Sequence, residues 1–217
     1  MKLFYRSILL LFLGFITFPA LSQTLNPAPD RRSDEGEGPF QRLIIRGAIV
    51  IDGTGAPAQG PMDIVIENNK IVSMTTVGAP HVPIDESGRP QGATKEIDAH
   101  GSYVLPGFIN LHAHVGGAAK SPNAEYPYKL WMGHGITTIR GVPAANIDWT
   151  RSEKKRSANN EIVAPRIVAF HTLGSGEDWK GGPVNTPEKA VEWVQYAAKK
   201  GVDGIKFFSH DPEVMQA

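Results

Sequence analysis

One stretch constrains this chain more than any other: Val104-Leu105-Pro106-Gly107-Phe108-Ile109-Asn110-Leu111-His112-Ala113-His114-Val115. A run of β-branched and apolar residues feeds two histidines separated by one alanine. In a strand, successive side chains alternate between faces, so His112 and His114 point one way and Ala113 the other. Two neutral imidazoles on one face at a strand end are placed to hold a divalent cation. A strand whose histidines merely occupy a polar end would look the same at this level. The rest of the chain decides between the two.

Downstream, apolar runs alternate with helical stretches. Residues 136–140, 165–171 and 202–208 read as strands. Residues 127–132 suit a short helix stopped at Gly133-His134-Gly135. Residues 148–157 are polar and basic and read as an exposed helix or loop ending at Asn159-Asn160. Thr186-Pro187 opens a helix with an N-cap hydroxyl and a proline at the first helical position. Its apolar residues recur through Val191, Val194 and Ala198, with Ala190 and Ala197 beside them, and Gly201 closes it. Strand–helix alternation at these spacings means parallel βα units. The expected class is α/β, with a partial (β/α)8 barrel of about four units over residues 106–217. A closed barrel of eight units takes about 250 residues.

Upstream, residues 41–105 read as a small β-rich portion. Residues 43–45 and 48–51 are short runs ending at the turn Asp52-Gly53-Thr54-Gly55. Residues 63–67 and 70–74 flank Asn68-Asn69, a hairpin signature. Residues 78–94 form a long loop. Residues 23–40, rich in Pro, Gly and charge, read as a solvated linker. Residues 1–22 have the layout of an export signal: Lys2 and Arg6, an apolar stretch over residues 8–18, then Ala20-Leu21-Ser22 ahead of Gln23. The apolar stretch is short for a membrane span of about 20 residues. The expected location is therefore periplasmic or extracellular, with no stable membrane anchor after cleavage.

Composition narrows the chemistry. Lysine plus arginine and aspartate plus glutamate stand at 22 each, so no positive field favours nucleic acid. Cysteine is absent, which removes disulfides, thiolate metal sites and a thiol nucleophile. Any metal must be held by nitrogen and oxygen.

Pro106-Gly107-Phe108-Ile109-Asn110-Leu111-His112-Ala113-His114 resembles the first barrel strand of the metal-dependent amidohydrolase superfamily. There the signature is Pro-Gly, two apolar residues, Asp or Asn, an apolar residue, then His-x-His. Gly135-Ile136-Thr137-Thr138-Ile139-Arg140 is similar to the family's second strand, although Gly141 stands where relatives often carry Asp. Ile51-Asp52-Gly53-Thr54-Gly55, residues 64–72 and Ile97-Asp98-Ala99-His100-Gly101 look like the family's small N-terminal β-sandwich. Gly201-Val202-Asp203-Gly204-Ile205-Lys206 resembles a fourth strand whose lysine is carboxylated and bridges two metals.

The resemblance implies one or two divalent ions, zinc by default, bound by His112, His114 and Lys206. It also implies hydrolysis of amide, cyclic amide or peptide-like C–N bonds by metal-activated water. A dipeptide-like or other small molecule would be the partner, and imidazolonepropionase-like and prolidase-like enzymes look nearest. His171 and His210 are further candidates for substrate contact. In the family, two histidines after strands five and six and an aspartate after strand eight complete the site. The expectation is thus an N-terminal fragment of such an enzyme. The alternative is a catalytically incomplete piece that acts only in assembly or interaction.

Overall fold

The computed structural model describes residues 25–79, 81–115, 123–141 and 146–217. The stretch read as an export signal lies outside them, as do the first two residues of the linker, 23 and 24. No helix among the described residues is long and apolar enough to cross a membrane.

The first sheet contains β1 (Arg42–Val50), β2 (Gln59–Glu67), β3 (Lys70–Thr76), β4 (Lys95–Asp98) and β5 (Tyr103–Val104), in the order β3-β2-β1-β4 with β5 also on β1. β1 runs antiparallel to β2 and parallel to β4 and β5. The two upstream runs are thus one strand, with a shift of register between Ile45 and Ala48. Gly47 sits in that shift at φ +68, and a Cβ there would come within 2.7 Å of the His100 ring. Both facts call for glycine. The Asn68-Asn69 turn joins β2 to β3 as expected, Asn68 taking φ 55. Ala48, Val50, Met62, Ile64 and Ala99 form the local core.

Asp63 is fully buried in this sheet and fully partnered. Its Oδ1 accepts from the Gly47 backbone N–H at 2.9 Å and from Arg89 Nη2 at 2.8 Å. Its Oδ2 accepts from Arg46 Nη1 and Arg89 Nε, both at 2.9 Å. Burial alone would raise the carboxyl pKa. The Arg89 and Arg46 guanidiniums and the Gly47 N–H reverse that and hold it at about 2. Arg89 thereby ties the loop over residues 78–94 to the sheet.

The second sheet is parallel, in the order β6 (Phe108–Ala113), β7 (Ile136–Gly141), β8 (Arg166–Thr172), β9 (Gly204–Lys206). Helices α1 (Glu125–Gly133), α2 (Ile147–Ala158) and α3 (Pro187–Lys199) lie between successive strands, and α4 (Pro212–Gln216) follows. Strands in sequence order with helical crossovers make the curled sheet of a half-barrel. The run that carries the histidines is divided between the sheets: Val104 belongs to the first and Phe108 opens the second. Pro106 has no N–H to donate to a ladder. At Gly107, a Cβ would lie 2.0 Å from Thr137 Oγ1, so the chain can cross there only as glycine.

Three expectations need correction. Residues 148–157 are not simply exposed. Their helix α2, capped by Asn146 Oδ1 on Trp149 N at 2.6 Å, buries Ile147, Thr150 and Glu153. The polar members of that face are tolerated because each has a partner. Glu153 accepts from the Ala28 N–H at 3.0 Å and from Arg156 at 2.6 Å.

The second correction follows from the first: the described part of the expected linker is docked rather than solvated. Leu25 and Ala28 are buried with Ala113, Val115, Tyr128 and Ile139, and Asp30 pairs with Arg156 at 2.7 Å. Its few apolar residues form no periodic pattern that would signal this. Third, α3 buries Ala190, Trp193 and Ala197 and leaves Val191 and Val194 exposed. The large indole, not the valines, decides which face packs.

Candidate metal centre

β6 delivers the histidines through a local device. The pairing of β6 with β7 shifts register between Asn110 and Ala113. There the Asn110 side chain accepts the His112 backbone N–H at 3.0 Å. This Asx-type bond satisfies a donor that the bulged ladder does not. Ala113 and Val115 are buried in the core on the helix side. His112 and His114 turn together to the other side, His114 one residue beyond the strand's end. Their Nε2 atoms are 3.0 Å apart and their ring centroids 5.0 Å apart.

Lys206, the last residue of β9, reaches across from the far edge of the sheet. Its Nζ lies 2.9 Å from His112 Nε2 and 5.0 Å from the centre of the Phe208 ring. No carboxylate pairs with it among the described residues. Lysine at this depth in a strand has therefore been brought to the histidines rather than to an ion pair. His112 and Lys206 share a cleft of about 320 Å³ with Leu111, Arg140, Phe170 and Phe207.

Three nitrogens thus converge on one point with no oxygen acceptor among them. Two imidazole lone pairs this close must share a proton or a cation. Tetrahedral coordination with Zn–N bonds of 2.0–2.1 Å would separate two ligand nitrogens by roughly 3.3 Å, close to the 3.0 Å found. The His114 pKa is lowered, first by burial and then by the charges of Lys206 and His112. That keeps its ring in the neutral form that ligates. The donor set therefore fits a divalent cation that accepts nitrogen ligands. Among the described residues no group of three His, Cys, Asp or Glu side chains forms around any such point. The pair by itself would supply only part of a ligand set.

The other candidates lie elsewhere. His171 is buried on the helix side of β8 with Ile167 and Ala169, and its Nε2 lies 3.0 Å from Thr150 Oγ1 on α2. Burial lowers its pKa. Alternation along β8 turns this candidate for substrate contact away from the cleft. His210 meets Phe207 edge-on at 6.0 Å, and its Nδ1 is buried without a hydrogen-bond partner among the described residues. His100 Nδ1 donates to the Asp98 carboxylate at 2.5 Å in the first sheet. Two residues at or beside the site were missed as functional groups. Asn110 was visible only as a signature position, and Arg140 only as the end of a strand motif.

No protein-family model matches the chain. Among curated proteins, it is 24% identical over 151 residues to a dihydroorotase of Thermus aquaticus, covering 67% of this chain and 31% of that protein. It is 25% identical over 185 residues to a D-hydantoinase of Streptomyces coelicolor, covering 81% of this chain and 37% of that protein. The chain thus spans about a third of the length of these relatives. Among solved structures, a prolidase complexed with N-methylphosphonate-L-proline matches with a TM-score of 0.55 at 21% identity, over 76% of this chain and 46% of that one. This last is a likeness of fold. A parallel half-barrel whose first strand ends in a convergent His-x-His pair, together with sequence similarity to these enzymes, supports a place for the chain in the amidohydrolase superfamily.

Proposed function

We propose that this chain forms part of a metal-dependent hydrolase of amide, cyclic amide or peptide-like C–N bonds. The observation that carries the reading is the meeting of His112 Nε2, His114 Nε2 and Lys206 Nζ within 3.0 Å steps. His112 and His114 would hold a divalent ion, with zinc the default for such ligands. A bound ion of this kind acidifies water and polarises a carbonyl oxygen.

The chain's own residues do the positioning. Asn110 fixes the His112 backbone, and burial keeps His114 neutral. Free lysine is protonated at neutral pH and ligates poorly. Addition of the neutral Lys206 amine to carbon dioxide, with loss of one proton, would give an N-carboxylate whose two oxygens can bridge two cations. The Phe170 and Phe207 rings line the apolar side of the cleft. We also read the first sheet as one layer of the small β-sandwich typical of the family, and residues 1–22 as an export signal.

Elemental analysis of the purified chain tests the reading. About one or more divalent ions per chain are expected, lost when His112 and His114 are both changed to alanine. Equal metal content in the two proteins, or none in either, would refute it.

A further inference from the structure

Arg140 lies in the same cleft as His112 and Lys206. Its guanidinium carbon sits 4.2 Å from the centre of the Phe170 ring. Among the described residues it makes no ion pair and no side-chain hydrogen bond. The ring beneath it is held by the sheet. Phe170 pairs with Gly204 across β8 and β9, and a Cβ on Gly204 would come 2.3 Å from that ring. Glycine at 204 is thus what admits the aromatic platform on which Arg140 rests. Three adjacent strands contribute one element each: cation from β7, ring from β8, space from β9.

A guanidinium stays charged at any ordinary pH. Stacking on a ring occupies its face and leaves its in-plane N–H donors free. Among the described residues no acidic side chain lines the cleft to receive them. The fork geometry of those donors matches a carboxylate bidentately.

We infer that Arg140, stacked on Phe170, is a carboxylate-recognition element. The substrate class is then an N-acyl amino acid or dipeptide with a free carboxylate, rather than a neutral cyclic amide. A cleft of about 320 Å³ suits a molecule of that size, at the small end of the usual ligand range of about 300–1,000 Å³. The inference rests on the proposed hydrolase reading for the reacting bond, but the anion site is testable without it.

The experiment is calorimetric titration of the purified chain with N-acetyl-L-alanine and, separately, with its neutral C-terminal amide. The acid should bind about tenfold tighter than the amide, the scale of a charge-assisted hydrogen bond. Arg140→Met should abolish that preference and Arg140→Lys should restore part of it, both with unchanged circular dichroism. Should Arg140→Met fail to fold, Phe170→Leu takes its place and should weaken the acid while leaving the amide unchanged. Equal binding of acid and amide, binding of neither, or a preference that survives Arg140→Met would overturn the inference. Metal content measured on the same samples separates the two ideas. Acid preference without metal would sink the hydrolase reading and leave this site standing; metal without acid preference would do the reverse.

Discussion

The molecule gathers ionisable side chains at two places and treats them in opposite ways. Around Asp63 in the first sheet, one carboxylate receives four hydrogen bonds from Arg46, Arg89 and Gly47, and the cluster is closed. Around His112 in the second sheet, two imidazoles and an amine face one another with no carboxylate among them. A closed cluster has no valence left for a ligand, so its role is to hold chain segments together. An open cluster stabilises little by itself and is poised to bind. The same residue chemistry becomes structure or site according to whether its partners lie within the chain.

The comparison can be broken first on stability. Asp63→Ala leaves two guanidiniums short of their partner and should cost about 3–5 kcal/mol in urea unfolding. His112→Ala should change the same measurement by no more than about 0.5 kcal/mol. Equal losses would erase the distinction between the clusters. Acid gives the next largest effect. Asp63 is held at about 2, below the ordinary carboxylate value, so its contribution is complete above about pH 4. It is lost as pH falls through 2, a loss of about 2 kcal/mol, and thermal melts from pH 5 to pH 2 should show it. Asp63→Asn should flatten that dependence.

Smaller effects sharpen the picture of the open cluster. Asn110→Ala removes the acceptor of the His112 N–H and should cost about 1 kcal/mol. It should also weaken metal binding about tenfold in a competitive chelator titration, because the ligand's support is lost. Lys206→Met should leave stability within about 0.5 kcal/mol of the parent. In protein equilibrated with ¹³C-bicarbonate, it should abolish any carbamate carbon resonance. A resonance that persists in Lys206→Met would place the carbamate on another amine.

How far the site was legible depended on the range of the interactions. The side shared by His112 and His114 follows from strand alternation, although a bulge at Asn110 adjusts it. His171 shares its parity with Ile167 and Ala169, but Val168 and Phe170 are equally apolar. A strand buried on both faces does not announce which face holds the helices. Arg140 could be placed on a strand from its neighbours. Its stacking on Phe170 could not, because it requires the absence of a side chain at Gly204, 64 positions further along the chain.

By itself the sequence determined the order of strands and helices, the cap at Thr186, the Asn68-Asn69 turn and the signature of the first barrel strand. These depend on neighbours within a few residues, where backbone sterics and hydrogen bonding act directly. Only the tertiary structure decided that Glu153 would be buried against Ala28, that Asp63 would be enclosed by Arg46 and Arg89, and that Lys206 would meet His112. Those contacts join residues 125, 17, 26 and 94 positions apart. Their free energies come from desolvation and pairing, which exist only once the sheets have formed.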